Sequence, residues 1–222
     1  MPRTARLSIG GLCYHVINRD NAQAIVFHKS GDYQAFIDLM DESSRRLPMR
    51  ILAYCLMPNH FHFLIWAINN GDLSRWMQWL MTTHVRSYHR HYGSSGHIWQ
   101  GRFKSFPLAS DEHLLTAHRY IEGNPLRAGL VSRAEEWPWS SLRWLNSEGR
   151  PAFLSEGPVQ RPTDWLERVN LPLTHKELQA LRRSVNQGVP FGDSDWASHT
   201  AAELGLKSGR PPCGRPRSGT KS

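Results

Sequence analysis

The sequence predicts an α+β fold: an antiparallel sheet packed with helices in a ferredoxin-like order, then a small helical C-terminal extension and a disordered basic tail. Three observations lead there. Alternating and helix-periodic segments follow one another as strand, helix, strand, strand, helix, strand, helix, the order of a split β-α-β sheet. The pair Pro58-Asn59 separates two adjacent strand-like runs and marks a hairpin. The 222 residues are 40% hydrophobic with nine Trp, enough for one substantial core and an appendage.

Each element has its own signal. Gly11 to Asn18 alternates Leu12, Tyr14 and Val16 against Cys13, His15 and Ile17, as a strand does. Asp32 to Leu47 carries Phe36, Ile37, Leu39 and Met40 at helical spacing and stops before Pro48. Arg50 to Met57 is a largely apolar strand, and His60 to Trp66 returns beside it. A long amphipathic helix is expected from Leu73 to Tyr92, with Leu73, Trp76, Met77, Leu80, His84 and Tyr88 inward. Arg75, Thr82, Arg86 and Arg90 line another side of it. Trp99 to Leu108 reads as a strand. Ser110 to Asn124 reads as a helix, with Asp111 and Glu112 in its first turn and Pro125 ending it. Trp137-Pro-Trp-Ser-Ser141 begins a short closing helix, so a first domain is expected over 1–147. Ser147 to Arg161, rich in Gly and Pro, reads as a linker. Beyond it, Thr174 and Glu177 form a capping box for a helix closed by Gly188, and Ser194 to Leu204 forms another. These make 148–206 a linker with a helical extension. The tail, 207–222, is Gly, Pro and Arg with two Gly-Arg-Pro units that resemble a minor-groove AT-hook.

The charge points to a polyanion. The formal net charge is +8, and five of the basic residues fall in the last sixteen positions, without an acid. A second acid-free stretch, Leu73 to Ser110, holds Arg75, Arg86, Arg90, Arg102, Lys104 and four His. Either run also suits an ordinary solvated face. Cys13, Cys55 and Cys213 fit no CxxC spacing and no paired framework, as expected of a protein in a reducing cytoplasm. The longest apolar run, Phe63 to Ile68, is far too short for a membrane span, and no signal-like core follows the basic start.

The chemistry gathers around Met57-Pro-Asn-His60-Phe-His62. Residues i and i+2 of a strand share a face, so His60 and His62 present two imidazoles together while Phe61 and Phe63 pack on the other side. Two imidazoles at the mouth of a turn-initiated strand make half of a divalent-metal site. Ordinary strands also carry such pairs as core or surface histidines. The nucleophile for a metal-assisted reaction on DNA is water or one of six tyrosines. Tyr120 stands out because Asn124, a hard oxygen ligand, lies four residues on. Tyr88 and Tyr92 are its rivals. Arg102 and Lys104, interleaved with Trp99, Phe103 and Phe106, suit backbone contacts and base stacking on a single strand, or those of the aromatics that face inward belong to the core.

Five segments in consistent order, over about residues 5 to 145, resemble the motifs of REP-associated tyrosine transposases. They are Tyr14 to Arg19, Tyr54 to Leu64, Trp99 to Ser105, Arg119 to Val131 and Trp137 to Ser141. These proteins are relatives of the single-strand insertion-sequence transposases in the HUH endonuclease superfamily. The resemblance implies an HUH catalytic domain with His60 and His62 as metal ligands, Asn124 as the third and Tyr120 as the catalytic tyrosine. It also implies a bacterial, nucleoid-associated enzyme, monomer or homodimer, that binds palindromic repeats as single-stranded DNA hairpins. Cleavage beside them leaves a 5′-phosphotyrosine link and a free 3′-OH. A ligand set without negative charge should bind its cation weakly until DNA adds oxygens; Mg or Mn are the expected ions, with imidazole tilting the preference toward Mn. Arg3, Arg6, Arg19, Arg86, Arg90, Arg102, Lys104, Arg210, Arg215 and Arg217 are the expected DNA contacts. The competing readings are a non-catalytic DNA or RNA hairpin-binding regulator and a water-using metal-dependent nuclease.

Overall fold

The computed structural model describes residues 8–19 and 24–206. Four strands form one antiparallel sheet in the order β2-β3-β1-β4, with β1 Cys13–Arg19, β2 Arg50–Met57, β3 His60–Trp66 and β4 Lys104–Leu108. Helix α1, Ser30–Arg46, links β1 to β2, and α2, Asp72–Tyr92, links β3 to β4. This is the predicted ferredoxin-like order. The β2–β3 hairpin closes on Pro58-Asn59, and pairing Met57 with His60 fixes its register. An irregularity between Ile51 and Ala53 lets Leu52 join the face on which Ala53 lies.

The pleat divides the sheet into two apolar faces. Tyr14, Val16, Tyr54, Leu56, Phe61, Phe63 and Ile65 point to one side, where Phe36 and Met40 of α1 and Trp76, Met77 and Leu80 of α2 cover them. The apolar positions of α1 recur every three or four residues, so one stripe buries Tyr33, Phe36, Ile37 and Met40. On the other side lie Cys13, Cys55, Met57, Leu64, Phe106 and Leu108. Helix α3, Glu112–Glu122, covers these with Leu114, Ala117, Tyr120 and Ile121, and Leu181 and Phe191 come from further along the chain.

Three expected elements differ in detail. The strand expected from Trp99 begins only at Lys104, because Ile98, Trp99 and Phe103 turn into the core under α1 and α2. Trp99, Phe103 and Phe106 are all buried, so none offers a stacking platform to a base. Apolar burial outweighs display for rings this large. The helix expected to run through Asn124 ends at Glu122; Gly123 breaks it, and Asn124–Arg127 forms a separate turn, α4. A Cβ on Gly123 would meet the Arg119 carbonyl oxygen at 2.9 Å and that of Val169 at 3.2 Å, so the junction fits only glycine. Finally, Trp137 to Ser140 runs along the open edge of β2 before the 3-10 turn Ser141–Trp144. Leu56 N donates to Trp139 O, and the Trp137 indole donates to Leu56 O.

The segments beyond residue 147 pack back onto this body. Leu154 bridges Ile51, and Phe191 bridges Leu108. Helix α5, Trp165–Asn170, buries Trp165 and Val169 against Leu115, Ala134 and Leu142. Helix α6, His175–Gln187, carries the expected Thr174–Glu177 capping box, and α7, Ser194–Glu203, is capped by Asp193. No helix among the described residues is long and apolar enough to cross a membrane.

Candidate active site

The hairpin tip is held rigidly. Pro58 O accepts hydrogen bonds from Val26 N and Phe27 N, at 2.8 and 3.0 Å, which ties the turn to the chain entering α1. From this tip β3 projects His60 and His62 onto the face that α3 covers, with ring centroids 5.0 Å apart. Phe61 and Phe63 point the other way into the α1/α2 core. The same-face pair predicted from the His-x-His spacing is therefore present.

Each imidazole is anchored through Nδ1. His60 Nδ1 lies 2.7 Å from Asn59 Oδ1, which can only accept, so this nitrogen carries the proton and Nε2 keeps its lone pair. His62 Nδ1 lies 2.8 Å from Nε2 of His15 on the neighbouring strand β1. When His62 donates in that bond, its Nε2 is also free to ligate. Burial, together with the positive charges of Arg19 and Arg127, pushes His60 down to about 4. His62 falls well below the ordinary histidine value through burial, His15, His60 and the same two arginines. Burial and then Arg127 push His15 down to about 3. All three rings are neutral at physiological pH, the state metal ligation requires.

Tyr120 reaches the pair from α3. Its ring centroid lies 5.7 Å from His62 and 6.0 Å from His15, and the side chain is 9% exposed. The Arg127 guanidinium stands over the ring at 4.0 Å and donates to the Tyr120 carbonyl at 3.2 Å. The rival tyrosines sit elsewhere: Tyr88 and Tyr92 are on α2, across the sheet, where Tyr88 bonds His28 and Tyr92 bonds Asp32. Asn124 is buried at the start of α4, and its Nδ2 has no hydrogen-bond partner among the described residues. The Gly123 break means that Tyr120 and Asn124 no longer share one helix. No group of three or more His, Cys, Asp or Glu with metal-holding geometry occurs among the described residues. His60 offers a free Nε2, His62 offers one when its Nδ1 donates to His15, and the unpartnered atom of Asn124 is its amide nitrogen, a donor rather than a metal ligand.

A buried carboxylate fixes α3 in place. Glu122, fully buried, accepts from Ser141 Oγ at 2.6 Å and Trp165 Nε1 at 2.8 Å, and faces His118 Nε2 at 3.3 Å. Burial would raise its pKa, but His118, Ser141 and Trp165 more than offset that and hold it below the usual carboxylate value.

The predicted DNA contacts divide by position. Arg19 pairs across the sheet with His60, and Lys104 pairs with Ile17, itself paired to His62, so Arg19 and Lys104 rim the histidine end. Arg86 and Arg90 are exposed on α2, on the opposite face from Tyr120. Arg86 and Arg102 line one groove of about 960 Å³ with Met77, Met81, Trp99 and Phe103. Arg3, Arg6, Arg210, Arg215 and Arg217 lie outside the described residues. Two site residues escaped the sequence reading. His15 meets His62 only once the β1–β3 pairing is known, and Arg127 meets Tyr120 only through the Gly123 break.

With this geometry in view, comparison with known proteins is informative. The model of the family described as "Transposase IS200 like" matches residues 8–124. The chain is 26% identical over 136 residues to the REP-associated tyrosine transposase of Escherichia coli K12, covering 60% of this chain and 77% of the relative. A Haemophilus influenzae relative of similar description is 28% identical over 112 residues, covering 46% of this chain and 63% of that protein. The fold resembles that in "Structure of the REP associates tyrosine transposase bound to a REP hairpin". The TM-score is 0.53 and the identity 22%, over 73% of this chain and 94% of that one.

Proposed function

Since this chain belongs to the family of IS200-like transposases, enzymes that act on DNA, we propose that it cuts and rejoins single-stranded DNA beside palindromic repeat hairpins, with Tyr120 as nucleophile. The observation that carries this reading is the Tyr120 ring, 5.7 Å from His62, whose own ring lies 5.0 Å from that of His60 on the same face of β3. The protein acts in the cytoplasm, on the hairpins of the nucleoid.

In the reaction, Tyr120 Oη attacks the phosphorus and the bond to the 3′ oxygen breaks. The product is a 5′-phosphotyrosine and a free 3′-OH. The covalent link conserves phosphodiester energy, so strand transfer needs no ATP and the 3′-OH can reverse the step. His60, His62 and Asn124 are the residues that would hold a divalent cation, Mg or Mn. Such an ion would supply Lewis acidity toward the scissile phosphate. Asn59 and His15 keep the two imidazoles turned with Nε2 toward the site. Arg19, Arg102 and Lys104 line the approach of the backbone. The Arg86–Arg102 groove takes a length of single strand. The N-terminal and C-terminal arginines add phosphate contacts that strengthen binding at low salt.

A labelled hairpin oligonucleotide with single-stranded flanks tests this. The protein with Mn should give a protein–DNA band that survives a denaturing gel. Tyr120→Phe, which keeps the ring and loses the oxygen, should bind the hairpin and give no band. An adduct that persists in the variant moves the nucleophile elsewhere. Cleavage without any adduct in the unaltered protein identifies a water-using nuclease, and binding without cleavage identifies a regulator.

A further inference from the structure

We propose that Arg127 is a second catalytic residue, whose guanidinium receives a non-bridging oxygen of the scissile phosphate and holds the phosphorus before Tyr120 Oη. The inference rests on Tyr120 as the nucleophile and goes beyond that reading by assigning the phosphate a protein ligand of its own.

Geometry is the first support. Gly123 ends α3, Asn124 starts the next turn with Pro125 behind it, and the chain folds back so that the exposed Arg127 stacks over the Tyr120 ring. Arg127 is exposed while Tyr120 beneath it is buried, so a phosphate arriving from solvent meets the guanidinium as it meets the phenol. Stacking uses the flat face of the guanidinium, and one N–H is spent on the Tyr120 carbonyl. The other donors, arranged as a fork, are left for phosphate oxygens.

Charge is the second support. Among the described residues no carboxylate lies within ion-pair distance of Arg127, in contrast to Arg119, which faces Glu177 at 3.8 Å. His60, His62 and Asn124 are neutral, so they contribute no fixed charge to oppose that of a phosphodiester. An arginine that served only to pack the tyrosine ring would not need an unneutralised charge.

The step balances simply. Attack forms the bond between Oη and phosphorus and breaks the bond from phosphorus to the 3′ oxygen. The phenolic proton passes to solvent water, and the leaving 3′ oxygen takes one proton from solvent. Arg127 stays protonated throughout. Its role is to hold the oxygens on which negative charge persists as the phosphorus changes partners.

The test asks whether the effect of Arg127 depends on the charge of one phosphate. With an all-phosphate hairpin and Mn, Arg127→Met should slow adduct formation about 100-fold, and Arg127→Lys should recover part of the rate. Binding supplies the second measurement, in the Tyr120→Phe background that cannot cleave. Replacing the scissile phosphate by an uncharged methylphosphonate should weaken hairpin binding about tenfold with Arg127 present and less than about twofold with Arg127→Met. An undiminished rate in Arg127→Met, or an equal methylphosphonate penalty with and without Arg127, overturns the proposal and leaves Tyr120 standing. If the unaltered protein forms no adduct on any hairpin, the nucleophile assignment fails and this inference falls with it.

Discussion

His15→Phe separates metal binding from folding in a way that can be worked out in advance. His15 is fully buried, with its ring 4.9 Å from Phe106 and 6.0 Å from Tyr120, so a phenyl ring preserves most of the packing. What disappears is the 2.8 Å hydrogen bond to His62 Nδ1. His62 is then left with a buried, unpartnered nitrogen, a cost of about 1–3 kcal/mol. His15 Nδ1, however, is itself buried without a partner, and the substitution removes that penalty of similar size. The two terms nearly cancel, and the net change in stability should stay within about 1 kcal/mol, a shift of about 2–4 °C for a chain of this size. Metal affinity has no such offset. A ligand that loses the partner orienting its ring typically binds metal about 10–100-fold more weakly. Free Mn can be followed by electron paramagnetic resonance as it is titrated into protein saturated with an uncleavable hairpin. The expected result is a dissociation constant raised by that factor, an almost unchanged melting temperature, and partial recovery in His15→Gln, whose amide reaches the position of Nε2. Mn affinity within about threefold of the unaltered protein, or a Gln variant no better than Phe, would refute the positioning role assigned to His15.

Two further perturbations test the scaffold. Glu122→Ala leaves Trp165 Nε1 and His118 buried without their carboxylate, while Ser141 Oγ keeps its bonds to the Tyr54 backbone, and should cost about 3–5 kcal/mol in chemical denaturation. Glu122→Gln should cost less, and an alanine variant within about 1 kcal/mol of the parent would show that the cluster contributes little. His84, held down to about 4 mainly by burial, stays neutral in the fold but takes up a proton near pH 6.5 once unfolded. Between those values the unfolded chain binds more protons. The contribution of His84 is therefore complete above pH 6.5 and lost as pH falls toward 4, by about 3 kcal/mol at most. His84→Gln keeps an acceptor for the Trp99 indole and should flatten the acid limb of stability against pH; an identical slope in both proteins contradicts the assignment.

Much of the fold was legible because its signals are local. The alternation in Cys13–Arg19 and His60–Trp66, the turn at Pro58-Asn59 and the stripe Leu73, Trp76, Met77, Leu80 each lie within one element, and each formed where its periodicity indicated. The misplaced boundaries are those that distant contacts decide. Trp99 and Phe103 suit a strand by composition, yet they leave the sheet because the space under α1 and α2 buries their rings more fully. Where the expected helix through Asn124 breaks, only glycine fits, because the carbonyl of Val169, forty-six positions along the chain, occupies the space a Cβ would need.

The candidate site divides along the same line. The sequence alone determined that His60 and His62 share a face, since strand geometry repeats every two residues and the hairpin turn sets where the strand begins. The four-residue spacing of Tyr120 and Asn124, and then the motif resemblance, singled out those two. Tertiary structure alone decided which face of the sheet meets α3, and so that Tyr120 rather than Tyr88 or Tyr92 stands beside the histidines. It also brought His15 to His62 through strand pairing and Arg127 over Tyr120 through a broken helix. Such contacts join residues whose spacing in the chain has no period, so no local rule could have paired them. Only the packing of two faces on one sheet could.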